Sequence, residues 1–213
     1  MQFEAPSGYP LGTNKTFKVA SKILIPLLKL LTKRDWRGVN NIPKSGPVIV
    51  ISNHVSYADA IVFAHYLYGN GRAVRYLGKD SVFRIPILGK IILSSGQIPV
   101  ARESDKASHA LDSALGLLEA GHCVGIYPEG TLTRDANLWP MVAKTGIARL
   151  AIISKAPVIP IAQWGDQNLL APYSKRLVFW KRTKIRYLAG PALDFSKWYG
   201  KEEDQAALVE ATA

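Results

Sequence analysis

One cysteine in 213 residues, Cys123, excludes an internal disulfide and with it the small stapled scaffolds of oxidising compartments. No Cys/His cluster accompanies it, so neither a zinc site nor another bound metal is expected. No uninterrupted run of about 18 apolar residues occurs, which argues against a spanning helix. The apolar stretch near the start is followed by Lys29, Lys33 and Arg34 where a signal peptide would carry a small-residue cleavage site. Internal repeats, low-complexity tracts and a Gly-x-Ser-x-Gly nucleophile turn are all missing, the last removing the usual esterase. Acidic residues are scarce, 16 against 27 Lys and Arg, and the net charge of +11 favours nucleic acid, an anionic membrane or a phosphorylated substrate as partner. Hydrophobic residues make up 48% of the chain, enough for one globular domain with a full core.

The basic residues are not scattered evenly. Residues 1–13, rich in Pro and Gly, read as an irregular lead-in. From Lys15 to Arg34 a helical projection, at about 100° per residue, gathers Lys15, Lys18, Lys22, Lys29 and Lys33 within a wedge of about 60°. Ile23, Leu24, Leu27, Leu30 and Leu31 fall on the other side, and Pro26 should kink the helix. That is the pattern of a helix lying among lipid headgroups, and equally of a surface helix packed on a core with a solvated lysine face. Residues 1–35 are therefore expected to form a lead-in and a membrane-associating helix, and 36–213 a single domain.

Within that domain short apolar runs alternate with helical ones. Strands are expected at Val48–Ile51, Arg72–Gly78, Cys123–Tyr127 and Val158–Ala162, with a late pair at Arg176–Trp180 and Lys184–Leu188. Helices are expected near Ser56–Tyr68, 104–120 and Val142–Ser154, with a short one from Lys79 interrupted at Pro86 and a surface helix after Lys201. This order implies an α/β fold: a largely parallel central sheet with helices on both faces, preceded by the basic amphipathic helix. Site residues should collect where strands end.

The stretch that organises the rest is Val48 to Asp59. A buried strand runs into a polar turn carrying Asn53 and His54, and a helix follows with Ser56 at its cap and Asp59 in its first turn. His54 lies outside the helix, so its ring can swing onto the Asp59 carboxylate. A histidine so held is a general base, and no serine nucleophile is needed when the substrate brings its own hydroxyl. The pair alone also fits a capping aspartate beside an ordinary turn histidine. His65, His109 and His122 read as packed, solvated and helix-capping respectively.

Further blocks follow in order: Phe83-x-x-Pro86-x-x-Gly89, Gly96-Gln-Ile98-x-x-x-Arg102, Tyr127-Pro-Glu129-Gly130-Thr131 and Val158-Ile-Pro160-Ile. Together with Asn53-His54-x4-Asp59, over roughly residues 36–165, they resemble the signature blocks of the glycerolipid acyltransferase family, whose best-known members act on lysophosphatidic acid. The resemblance implies that His54 is the base, oriented by Asp59, and that the lipid hydroxyl attacks an acyl thioester directly. It implies acceptor binding by Asn53, Arg102, Glu129, Gly130 and Thr131, with Arg102 on the phosphate. It also implies an acyl groove that includes Pro86, Val158 and Pro160. Lys79 reads equally as a further cation for substrate phosphates and as a solvated lysine. The third block departs from the family's Glu-Gly-Thr-Arg-Ser: here Leu132 and Thr133 precede Arg134, so either Arg134 reaches the phosphate through a bulge or Lys144 replaces it. Backbone amides after His54 are candidate oxyanion donors.

The reaction so implied moves a fatty acyl group to the sn-2 hydroxyl of 1-acylglycerol 3-phosphate, giving phosphatidic acid, with acyl-CoA or acyl-ACP as co-substrate and no cofactor. Rival acceptors are glycerol 3-phosphate and other lysophospholipids. A basic nucleic-acid-binding module is the rival outside enzymes, although no recognised nucleic-acid motif occurs and the lysines gather on one helix. The expected location is the cytoplasmic face of the cell membrane, peripherally bound.

Overall fold

The computed structural model describes residues 3–100, 107–174 and 176–213. Seven strands, β1 (Thr32–Arg37), β2 (Val48–Ser52), β3 (Val74–Lys79), β4 (Ile98–Val100), β5 (Cys123–Ile126), β6 (Val158–Trp164) and β7 (Thr183–Ala189), form one sheet. Its order is β1-β7-β6-β2-β5-β3-β4, and every neighbouring pair is parallel except β6 with β7. The helices are α1 (Lys15–Leu31), α2 (Asp59–Gly69), α3 (Asp80–Phe83), α4 (Leu88–Ser94), α5 (Ala107–Glu119), α6 (Gly146–Ser154), α7 (Asp166–Leu169) and α8 (Gln205–Thr212). No helix among the described residues is long and apolar enough to cross a membrane.

The strand β2 is apolar throughout because it is covered on both sides. Val48 and Val50 point into a core shared with Leu28 and Leu31 of α1 and Val62, Phe63 and Tyr66 of α2. Ile49 points the other way, among Leu117 of α5, Leu150 and Ile152 of α6 and Leu208 of α8. The expected α/β architecture, with helices on both faces and a leading amphipathic helix, is the one the chain adopts.

Three local expectations are corrected. The first helix stops at Leu31, not Arg34: Thr32 turns extended and its hydroxyl donates to the Leu28 carbonyl at 2.6 Å. Residues 32–37 then pair with β7 as an edge strand, hidden from pattern reading by its charges, which are how edge strands avoid further pairing. Second, Arg176–Trp180 is not a strand; its one sheet-like contact is the isolated bridge between Leu170 and Leu177, and Phe179 and Trp180 stand exposed. Third, the helix expected from Val142 begins at Gly146, because Glu129 and the Pro128 carbonyl take the N–H groups of Met141 and Lys144.

The antiparallel step between β6 and β7 has a spatial consequence. Strands β1 and β7 run against the other five, so their first residues, Thr32 and Thr183, lie at the edge where β2, β5 and β6 end. The C-terminal end of α1 and the loop entering β7 are thereby brought to the edge that carries His54.

Candidate active site

At the end of β2 the chain leaves the sheet as Asn53-His54-Val55-Ser56 and re-enters helix at Asp59. Ser56 does not cap that helix through its hydroxyl in the expected way. Its Oγ accepts the Ala58 N–H at 3.0 Å and donates to the Leu170 carbonyl at 2.6 Å. Asp59 holds the turn instead: Oδ2 accepts the N–H groups of Val55 and Ser56 at 2.7 and 2.9 Å, and lies 3.0 Å from His54 Nδ1. The amides after His54, expected as oxyanion donors, are therefore spent on Asp59.

Asp59 is sealed from solvent while the His54 side chain keeps 17% exposure. With Nδ1 against a carboxylate the proton of the neutral ring belongs on Nδ1, leaving Nε2 as the free base. The ring is held from a third side by Tyr127, which stacks on it with centroids 4.0 Å apart and planes 15° apart. Burial keeps the Tyr127 phenol well above its ordinary pKa, so it stays neutral.

The backbone of His54 is clamped by the segment after β5. Its N–H donates to Glu129 Oε1 at 3.1 Å, and its carbonyl accepts the Thr133 N–H at 2.8 Å. Glu129 Oε2 accepts the Met141 N–H at 3.0 Å, so both oxygens of this buried acid serve main-chain donors. Gly130 has φ of +71°, and a Cβ there would stand 3.0 Å from Lys144 Nζ, which puts the lysine side chain across the Glu129-Gly130 turn. Thr131 is half-buried on the same turn. Asn53 is occupied at both amide atoms, donating to the Gln163 carbonyl at 3.1 Å and accepting the Gln163 N–H at 2.9 Å, and so ties β2 to the end of β6.

Other residues singled out above are spread more widely. Lys79 ends β3 and is exposed, as are Arg134 and Pro86, the last lying between α3 and α4. Val158 is buried at the opening of β6, the end away from His54, and Pro160 is half-buried in mid-strand opposite Ile51. Arg102 lies outside the described residues. His65 packs edge-on against Trp36 and His122 bonds the Glu4 carbonyl. Two shallow surface hollows, one lined by Lys15, Lys18 and Lys22 and one by Tyr9 and Gly71, do not include His54.

Sequence reasoning passed over the groups behind the pair. Tyr127 sits beside the Glu129-Gly130 block and its place at a strand end was the one available signal. Asp166, Gln163 and Tyr187, buried around Asp59, carry no local pattern; only the return of β6 and β7 brings them there.

The profile of the family described as Acyltransferase matches residues 33–164. A 1-acyl-sn-glycerol-3-phosphate acyltransferase of Bacillus subtilis is 28% identical over 198 residues, covering 92% of either chain. The chloroplastic 1-acyl-sn-glycerol-3-phosphate acyltransferase BAT2 of Brassica napus is 28% identical over 148 residues, 68% of this chain and 41% of its own length. The corresponding enzyme of Borreliella burgdorferi is 27% identical over 173 residues, 81% of this chain and 66% of its own. The chain thus spans less than two thirds of the last two relatives. The crystal structure of the 1-acyl-sn-glycerophosphate (LPA) acyltransferase PlsC from Thermotoga maritima superposes with a TM-score of 0.66 at 21% identity, covering 92% of this chain and 78% of that one. It shares the fold.

Proposed function

The chain belongs to the acyltransferase family, and from that premise we propose that it moves a fatty acyl group from acyl-CoA or acyl-ACP to the sn-2 hydroxyl of 1-acylglycerol 3-phosphate, forming phosphatidic acid. The observation that carries the reading is His54 Nδ1 at 3.0 Å from buried Asp59, on a side chain that stays 17% exposed just after β2 ends. The relatives' names, 1-acyl-sn-glycerol-3-phosphate acyltransferase, suggest the acceptor, and acylating its free hydroxyl gives the product.

In this reading Nε2 of His54 takes the hydroxyl proton as the alkoxide oxygen bonds to the thioester carbonyl carbon. The tetrahedral adduct collapses by breaking the carbon–sulfur bond, and the imidazolium returns its proton to the departing thiolate. Asp59 stabilises the imidazolium between the two transfers. Glu129, Thr133 and Tyr127 fix the ring's position before substrate arrives, which is where much of the rate advantage of a preset base lies. Among the described residues Lys144 over Gly130, Lys79 and Arg134 are the cations from which the acceptor's phosphate would draw its partners, and the resemblance adds Arg102.

The substrate's home is a bilayer, and the surface suits one. On α1 the apolar arc is split: Leu28 and Leu31 pack inward, while Val19, Ile23, Leu27 and Leu30 stand exposed beside Lys15, Lys22 and Lys29. Phe179 and Trp180, each 71% exposed, project from the loop entering β7. Arg182 ties that loop to the end of α1 through the carbonyls of Lys29 and Thr32, at 3.1 and 2.8 Å. Phe179, Trp180 and Arg182, with Leu27, Lys29 and Leu30 near the end of α1, stand toward the edge bearing His54 and support peripheral binding to an anionic membrane, which we place at the cytoplasmic face.

The test is product analysis by mass spectrometry after incubating purified protein with an acyl thioester and a panel of lysophosphatidate, glycerol 3-phosphate and other lysophospholipids. Phosphatidic acid from lysophosphatidate, lost by about a hundredfold or more in His54→Ala, is the expected result. Full activity of His54→Ala overturns the base assignment, and preference for another acceptor overturns the substrate.

A further inference from the structure

The crossover from β3 to β4 is a hairpin of two short helices, α3 and α4, and it buries little of its own apolar surface. Val82, Ile85, Ile87, Leu88, Ile91 and Leu93 all stand exposed, Ile87 at 74%. So many aliphatic side chains on one solvated segment mark a docking face.

The turn between the helices adds a backbone observation. Ile87 has φ of 65° and ψ of −58°, and the Leu88 N–H donates to the Pro86 carbonyl at 2.7 Å. This is the rare, strained form of the γ-turn, with a β-branched residue at its centre where Gly or Asn would take a positive φ more readily. The hairpin is still firmly held. A Cβ on Gly89 would overlap the Phe83 carbonyl, one on Gly78 would meet the Phe83 ring at 3.0 Å, and the Gly89 N–H donates to the Ile85 carbonyl at 2.8 Å. In water Ile87 is unfavourable twice over, by its backbone and by its bare side chain, and an apolar medium removes the second cost.

Topology says where this face lies. Strand β3 is parallel to β5 and β5 to β2, so Lys79 at the end of β3 is on the edge that carries His54. In the sheet order β3 stands two places from β2 on one side, and β7, entered past Phe179 and Trp180, two places on the other. At about 4.8 Å between strands the two roots are about 20 Å apart, with His54 between them.

The chemistry of the hairpin selects the occupant. Lys79, Arg84 and Lys90 are exposed against a single acid, Asp80, which is paired with Arg84. Protein-docking faces are enriched in aromatic residues; here the exposed apolar set is Val, Ile and Leu with cations at its margin, the make-up of an element that enters an acyl layer beneath anionic headgroups.

We infer that the α3–α4 hairpin is a second membrane-insertion element, which places Ile85, Ile87 and Leu88 in the acyl layer of an anionic bilayer and Arg84 and Lys90 among its phosphates. With the Phe179–Trp180 loop it brackets β2, so the bilayer meets the catalytic edge on both sides of His54. The inference rests on the membrane-bound acyl-transfer reading for its purpose; insertion itself is tested without turnover.

A solvent-sensitive fluorophore is attached at Ile87→Cys in the full chain, where the native Cys123 is buried. On vesicles of phosphatidylcholine and phosphatidylglycerol the probe should shift to the blue and be quenched by nitroxides on the acyl chains. The same probe at Val209→Cys, exposed on α8 over the other face of the sheet, should do neither. A probe at position 87 that stays in water on vesicle-bound protein overturns the inference, and so does one that shifts with acyl carrier protein but not with vesicles. Ile87→Asn, better suited to a positive φ, should weaken vesicle binding by about tenfold without lowering the urea midpoint. A lowered midpoint with unchanged binding would make Ile87 a residue of the fold alone and overturn the proposal. Blue shift and quenching in a protein that transfers no acyl group would sink the functional reading and leave the insertion element standing.

Discussion

Tyr127 lies flat against His54, 4.0 Å between ring centroids, and Tyr76 and Phe63 pack against Tyr127 in turn. A stacked ring limits how far the imidazole can turn about its tether to Asp59, so Tyr127 sets the direction in which Nε2 points. Tyr127→Phe keeps the ring and should cost less than about threefold in kcat; Tyr127→Ala should cost about tenfold or more at similar KM. Steady-state kinetics of the two variants decide it, and equal rates in both would remove the stack from the mechanism.

Glu129 looks like a substrate ligand in sequence, an acid at a strand end in a block that the resemblance assigns to the acceptor. Its two oxygens are instead bonded to the N–H groups of His54 and Met141. Replacing it by alanine leaves two half-buried donors unpaired, at a cost of about 2 kcal/mol. Glu129→Ala should therefore lower the urea midpoint and kcat together, while KM for lysophosphatidate changes by less than about threefold. A large rise in KM at unchanged stability would restore the role of direct ligand.

How far the chain could be read in advance follows the range of the forces involved. Strands β2, β5 and β6 were legible because burial on both faces demands unbroken apolar runs such as Val48–Ile51. Strand β1 was not, since an edge strand is selected for the charges of Lys33, Arg34 and Asp35 rather than for alternation. Leu177 to Trp180 failed in the opposite sense: apolar residues mimic a strand whether they face a core or stand exposed in a loop. The approach of His54 to Asp59 follows from local geometry, five residues around one turn. The Asp166–Tyr187–Gln163 group does not, because it is assembled by the sheet's reversal between β6 and β7.

Stability should fall on mild acidification, and His65 is a main cause. It is 6% exposed against Trp36, and burial, followed by the charges of Arg34 and Lys29, pushes its pKa down to about 4 from 6.5. The folded state therefore binds fewer protons than the unfolded one between these values. Stability from this group is whole above pH 6.5 and is lost as pH falls toward 4, by an amount on the order of 3 kcal/mol. Burial lowers the pKa of His122 too, adding in the same direction. Urea titrations across that window should show a shallower slope in His65→Phe, which keeps an aromatic edge against Trp36. An unchanged slope would assign the acid sensitivity elsewhere.

The exposed tip at Phe179 and Trp180 gives the membrane reading its sharpest test. Burying one such side chain in the acyl boundary is worth about 1.5–3 kcal/mol, so replacing both by serine removes about 3–6 kcal/mol and should weaken binding to anionic vesicles by about a hundredfold or more. Neighbouring cations, Lys181, Arg182 and the lysines of α1, contribute a separate part that rising salt screens, so the aromatic and ionic shares separate by repeating sedimentation at two salt concentrations. Because the tip stands on the edge with His54, activity should fall with vesicle-borne lysophosphatidate and change by less than about threefold when the lipid is dispersed in detergent. Undiminished vesicle binding by Phe179→Ser/Trp180→Ser would mean that this loop takes no part in the attachment, and equal losses in both assays would mean that the loop supports the fold of the site rather than its approach to the bilayer.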